Sequence, residues 1–171
     1  MSDWIPIPGT PRTRLAQQAL RLFGRSGYDT VGVGDIARAA GVTTGALYHH
    51  FGSKFRLYDL IRTEVERRVR DRMEGASQAA GGRLAPALAV GFDAAWELEA
   101  APLLAETPPE PRADALAAFL EPLGNHREPG AGALIMGAWR AALSQSVRDG
   151  AREPSRTALM ALVRSLDRSD P

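Results

Sequence analysis

Asp35-Ile-Ala-Arg-Ala-Ala-Gly-Val-Thr-Thr-Gly-Ala-Leu-Tyr-His-His-Phe51 is the stretch whose reading decides the fold. Ile36, Ala37 and Ala40 recur at helical spacing and make an apolar stripe, and Gly41 ends that helix where a left-handed backbone costs little. Thr43 or Thr44 can cap a second helix, and Leu47 and Phe51, four apart, turn it onto the first. Thr44, Gly45, Tyr48 and His49 are then left facing away from the packed seam. The start of such a helix carries unpaired N–H groups and the positive end of its dipole, both of which favour phosphate. Two short helices with this outward polar face suit the major groove of a duplex.

Upstream, residues 1–10 hold two prolines and a glycine without helical period and read as a flexible lead-in in which Trp4 has no assigned place. From Pro11 to Arg25, Leu15, Ala19, Leu22 and Phe23 form one helical face, with Arg12, Arg14 and Arg21 off it. Thr10 and Pro11 fit its start and Gly27 its stop, and Tyr28 reads as an aromatic plug against the next two helices. The second helix, Val33 to Ala40, has Gly32 or Val31 where a hydroxyl cap would be stronger, and Asp35 in its first turn compensates in part.

Downstream, Ser53 is a plausible cap and Lys54 opens a long helix running to about Met73 or Glu74, with Leu57, Leu60, Ile61, Val65 and Val69 on one stripe. The arginines from Arg62 to Arg72 read as a solvated face pairing locally with Glu64, Glu66 and Asp71. Gly75 to Gly82 reads as a hinge or helix break. A helix from Pro86 to Leu98 follows, interrupted by Ala101-Pro102, and then an irregular loop at Thr107-Pro-Pro-Glu-Pro111. A short helix is expected over Arg112 to Leu120, a loop over 124–132, and two closing helices over Ala133 to Arg148 and Ser155 to Arg168.

With few β-branched alternating runs and abundant Ala, Leu and Arg, the expected fold class is all-α. The 171 residues are 44% apolar, enough for a real core, and no window has eighteen uncharged apolar residues in a row, so no membrane span is expected. The absence of cysteine excludes disulfides, thiolate metal sites and a cysteine nucleophile and suits a reducing cytoplasm. Net charge is +1, but it divides unevenly: residues 1–75 hold 12 basic against 8 acidic side chains, and residues 76–171 hold 9 against 12. A polyanion would dock on the front half.

Leu15 to Leu60 resembles the TetR/AcrR family of transcription regulators. The features that carry it are Ala19, Leu22-Phe23, Gly27-Tyr28, Asp35-Ile36-Ala37, Ala40-Gly41-Val42, Gly45, Leu47-Tyr48, His50-Phe51, Ser53-Lys54 and Leu57, about a third of the chain. The resemblance implies a three-helix helix-turn-helix head, a long fourth helix joining it to a helical body with an effector pocket, and a homodimer. It divides the chain into the lead-in, a DNA-binding domain over 11–56, and an effector-binding and dimerisation domain over 57–171. Two departures stand out: Gly32 and Gly34 replace a common cap and a later arginine, and Phe55 and Arg56 replace acidic residues often seen there.

The expected division of labour has Thr44, Gly45 and His49 near base edges and Thr43, Tyr48 and Lys54 on phosphates. By spacing alone Phe92, Trp96, Phe119, Met136 and Trp139 are core, and the resemblance makes them candidates for the family's pocket; it also implies a dimer contact over Leu134, Ala138, Leu143, Leu159, Leu162, Val163 and Leu166. Glu97, Glu99 and Glu106 are expected on the surface. No catalytic group, cofactor or metal is expected: His49 and His50 diverge by about 100° on a helix, and His126 lies in a Gly/Pro loop. The expected function is a sequence-specific regulator on a palindromic duplex, most simply a repressor released by a small effector. The alternatives are a regulator with a closed body, or a helical carrier that kept the motif as scaffold.

Overall fold

Thr10 fixes where the first helix begins, because its hydroxyl accepts from the Thr13 N–H at 3.2 Å and Pro11 has no N–H that needs a partner. The computed structural model describes residues 9–123, 128–164 and 166–167. Trp4 and most of the lead-in, His126, and Arg168 at the expected end of the last helix lie outside them. Helix α1 (Pro11–Thr30) carries Leu15, Ala19 and Phe23 into the core. At Gly27, φ is +74° and the helical path breaks. Tyr28 then stacks on Phe23 at 6.1 Å between ring centroids and meets Tyr58 of the fourth helix edge-on at 4.8 Å, so outside its own helix its aromatic contacts are with the fourth helix and not with the two that follow the first.

Helix α2 (Val33–Ala40) has no side-chain cap at Gly32; the Asp35 carboxylate reaches back to accept the Gly32 N–H at 3.1 Å. Gly41, with φ +64°, lets Val42 N–H return to the Ala37 carbonyl at 3.0 Å. Helix α3 (Thr44–Phe51) is capped by Thr43, and α4 (Lys54–Ala79) by Ser53, whose Oγ accepts the Arg56 N–H at 3.0 Å. Ile36, Ala40, Leu47, Phe51, Leu57 and Ile61 join α1 in one core.

At 1.5 Å per residue, α4 is about 39 Å long. It runs past its expected end at Met73 or Glu74 and into the stretch read as a hinge or break, because a glycine inside a packed helix costs only about 1 kcal/mol and Ser77 beyond Gly75 is buried against the body. The chain turns instead at Gly81 and Gly82, with φ +70° and +85°.

The body comprises α5 (Leu84–Glu97), α6 (Ala101–Ala105), α7 (Ala115–Leu120), α8 (Ala131–Asp149) and α9 (Arg152–Arg164). Among the described residues all regular structure is helical. Helix α5 lies along α4, α8 packs on α7 and α9, and α6 is wedged between α1 and α8. Pro102 sits in the first turn of α6 and so opens a helix, whereas α5 has already ended at Glu97, before the left-handed backbone of Glu99. The α5 N-terminus is capped from the far end of the chain, where the Asp167 carboxylate accepts the Leu84 and Ala85 N–H groups at 2.7 Å each.

Asp114 pins α7 to α8. One carboxylate oxygen caps α7 at the Ala117 N–H, 3.0 Å away, and the other meets Arg140 at 2.5 Å. Burial pushes this carboxyl up, but the Arg140 hydrogen bond, the Ala117 N–H and the Arg140 charge together hold it below the usual range. A depressed folded value contributes stability that is present above the unfolded value, about 3.9, and lost as pH falls through the folded one. Urea unfolding is expected to give a flat stability from about pH 7 to 5 and an acid limb below about pH 4. Asp114→Asn is expected to lower the plateau and flatten that limb.

Candidate nucleic-acid interface

Helix α3 is sealed on one side and open on the other. Leu47 has no exposure and Phe51 is buried, whereas Thr43, Thr44, Gly45 and His49 are exposed and Tyr48 is 52% exposed. The helix start is well formed, with Thr43 Oγ1 accepting the Ala46 N–H at 3.3 Å, so the remaining first-turn N–H groups face outward beside the threonines. Gly45 is open: a Cβ there would meet only Thr43 Oγ1, at 3.7 Å. His50 is half-buried and lies edge-on to Phe51 and His49, at 6.4 and 5.1 Å.

Lys54 is half-buried, and its ammonium lies 3.9 Å from the Tyr28 ring centroid. That contact orients the charge at the start of α4. Arg12 folds over Phe51 at 5.6 Å. Arg14, Arg38 and Arg56 are exposed elsewhere on the head, Arg38 with its guanidinium 3.3 Å from Asp35.

Residues 15–61 match the profile of bacterial regulatory proteins of the tetR family. This head belongs to the TetR family. Its matched stretch is 46% identical over 50 residues to the HTH-type transcriptional regulator AcrR of Shigella flexneri, covering 29% of this chain and 23% of that one. It is 48% identical over 50 residues to the HTH-type transcriptional repressor KstR2 of Rhodococcus jostii strain RHA1, covering 29% and 24%. The match thus spans about a quarter of the length of these relatives. The crystal structure of a transcriptional regulator from Rhodococcus sp. Rha1 superposes with a TM-score of 0.62 at 21% identity, over 94% of this chain and 100% of that one. The fold shared with that structure therefore extends through the body. No helix among the described residues is long and apolar enough to cross a membrane.

In the body, three of the five candidate pocket residues are core, as their spacing alone has them. Phe92, Met136 and Trp139 have no exposure and are packed core, with the Trp139 indole N–H donating to the Leu88 carbonyl at 3.2 Å. Trp96 and Phe119 are half-buried and line two separate surface clefts. The five residues do not meet in one cavity, because the large rings fill the space between helices. The dimer set divides in the same way. Leu143, Leu159 and Val163 are buried inside the protomer, Ala138 and Leu166 are half-buried, and Leu134 and Leu162 are 79% and 59% exposed. Ala133, Gly137 and Ala141 on α8, and Ala158 and Ala161 on α9, extend that exposed surface.

Arg62 overturns the reading of the α4 arginines as one solvated face. It is fully buried and binds Glu66 at 2.8 Å, Tyr58 at 2.8 Å, and the carbonyls of Leu103 and Glu106 at 2.7 and 3.0 Å. Glu106 is also drawn in. Its carboxylate accepts the Tyr58 hydroxyl at 2.7 Å and the Tyr28 N–H at 3.0 Å, tying the kink in α1 to the segment after α6. Burial, opposed by Arg62 and assisted by Glu106, raises the Tyr58 phenol well above its ordinary value, so it stays a donor. The signal was available: Arg62 lies four after Tyr58 and seven before Val69, on the buried stripe. Arg67 and Arg68 do pair locally with Glu64, at 2.9 Å each, and Arg72 with Glu97 on α5 at 2.7 Å.

Proposed function

We propose that this chain is a cytoplasmic, sequence-specific DNA-binding regulator of transcription that works as a two-fold dimer and represses until a small molecule releases it. The observation that carries the reading is the outward face of α3, polar and open at Thr43, Thr44, Gly45, Tyr48 and His49 while its other side is sealed by Leu47 and Phe51. In this reading Thr44, Gly45 and His49 approach base edges, and Thr43, Tyr48 and Lys54 hold phosphates, with Lys54 aimed by the Tyr28 ring. The names of the two relatives, a regulator and a repressor, support the sign of regulation.

Two heads related by a two-fold axis place their α3 helices one turn of DNA apart, ~34–36 Å, on a palindromic site. An effector releases the dimer only if it prefers the conformer that does not fit this spacing. Selection from a randomised duplex pool tests the reading. Recovery of an inverted repeat, bound with a steep salt dependence, is expected, whereas no enrichment over random duplex would leave the carrier alternative standing.

The exposed strip of α8 and α9 is the dimer face in this reading. Leu134 has 79% of its surface free beside Ala133 and Gly137, small residues that let two helices approach closely. Leu134→Glu is expected to weaken dimerisation by about a hundredfold, near 2.7 kcal/mol, with little change in the protomer's own fold. Light scattering over a dilution series measures it.

A further inference from the structure

The turn between α5 and α6 presses on α1 at a place without slack: a Cβ on Gly24 would sit 2.2 Å from the Glu99 carbonyl oxygen. Glu99 itself holds φ +52°, a left-handed backbone seen at no other non-glycine residue among those described. Beside this contact lies a cleft of about 360 Å³ walled by Trp96, Pro102 and Val147, with Arg25 and Glu99 on its rim. That volume is in the range of small-molecule sites. The Trp96 indole N–H is buried without an acceptor, unlike that of Trp139. Arg25 is held by Glu99 at 2.9 Å, yet the two side chains are 60% and 61% exposed. Such a pair is weak, and another carboxylate can replace it.

We propose that this cleft is a binding site for a small molecule with a planar apolar group and a carboxylate. The ring lies between Trp96 and Val147, and the carboxylate takes Arg25 from Glu99. The apolar walls select the ring, the exchangeable guanidinium selects the anion, and a slight outward slide of the Trp96 ring gives its orphan donor an acceptor. Arg25 comes from the head, while α5, α6 and α8 of the body supply the remaining walls. Occupancy therefore releases the Glu99 side chain from Arg25 of α1, while its backbone stays against Gly24, at the seam where head and body meet. That consequence rests on the regulator reading; occupancy does not, since it needs no duplex.

The probe is 1-naphthoate, titrated into the full chain without DNA while the three indole N–H resonances are followed, with Trp96→Phe and Trp4→Phe providing the assignments. The Trp96 resonance is expected to move downfield and saturate while that of Trp139 stays in place. Arg25→Gln, a change at an exposed pair that leaves the fold intact, is expected to weaken binding at least about tenfold, and 1-naphthalenemethanol to bind at least about tenfold more weakly than the acid. Val147→Trp, which fills the cleft, is expected to abolish saturation. The proposal is overturned by the absence of saturation in the millimolar range, by unchanged affinity in Arg25→Gln, or by movement of Trp139 in place of Trp96. Saturation by the probe in a protein that selects no duplex would sink the regulator reading and leave this site standing.

Discussion

Replacing Arg62 with methionine is expected to cost about 3–5 kcal/mol of folding stability, the largest effect of any single substitution considered, although an arginine on a helix is ordinarily a surface residue. Its guanidinium satisfies one oxygen of the buried Glu66, the Tyr58 hydroxyl and two backbone carbonyls at once. Methionine fills much of the volume but leaves all four acceptors without their donor, and a buried carboxylate stripped of one partner is the costly part. Glu66 keeps Arg112, 3.0 Å from its other oxygen, so it is not left wholly unpaired. That sets the estimate within the range for broken buried pairs and not above it. Lysine is expected to rescue little, because a single ammonium cannot reach four acceptors arranged around a planar fork. Urea unfolding measures the cost. The double variant Arg62→Met, Glu66→Met is expected to recover part of it, since removing both charges avoids the orphaned carboxylate. A single-variant loss below about 1 kcal/mol would show that water replaces the guanidinium and that the network is not a structural tie.

The network also explains how much of the molecule could be read from its residues. The head was legible because each local signal agreed with the next. Thr10, Thr43 and Ser53 cap helices where the apolar periodicity starts, and Gly41 takes the left-handed backbone that its position requires. The outward set on α3 followed from Leu47 and Phe51 alone, because a helix of eight residues with one buried edge has only one free face. Arg62 misleads because its side-chain type argues for solvent while its place on the stripe argues for burial.

In the body the limit was different in kind. Helix α8 is apolar on two sides, so spacing found Leu134, Ala138 and Leu143 together but could not say that Leu143 faces the protomer and Leu134 the solvent. Phe92, Met136 and Trp139 carried the same ambiguity. Large side chains at core spacing look alike whether they line a cavity or fill it, and the difference lies in packing that no single helix specifies. The cleft at Trp96 was invisible for a further reason. Its walls come from α1, α5, α6 and α8, and α6 is a five-residue helix read from the chain only as an interruption at Pro102.

Gly45→Leu is expected to abolish specific DNA binding, by about a hundredfold or more in affinity, while leaving the protein as stable as before or slightly more so. The two halves of that expectation come from different facts. On the protein side there is room: a Cβ at Gly45 finds only Thr43 Oγ1, at 3.7 Å, and the glycine has ordinary helical backbone, so a side chain removes a flexible residue from the helix and gains about 0.5–1 kcal/mol. On the DNA side, in the proposed docking, there is none. The first turn of α3 lies against the groove, and a branched four-carbon side chain between Thr44 and the bases holds the helix away from the contacts made by Thr44 and His49. A loss of about a hundredfold is about 2.7 kcal/mol, the scale of one or two lost base contacts. Gly34→Ala serves as the control, because a Cβ there also meets nothing within 4 Å yet lies on α2, away from the reading face. It is expected to keep full affinity. Fluorescence anisotropy on the selected duplex, read beside urea unfolding of the same variants, separates binding from folding. A Gly45→Leu protein that binds as tightly as its parent would mean that the start of α3 does not enter the groove.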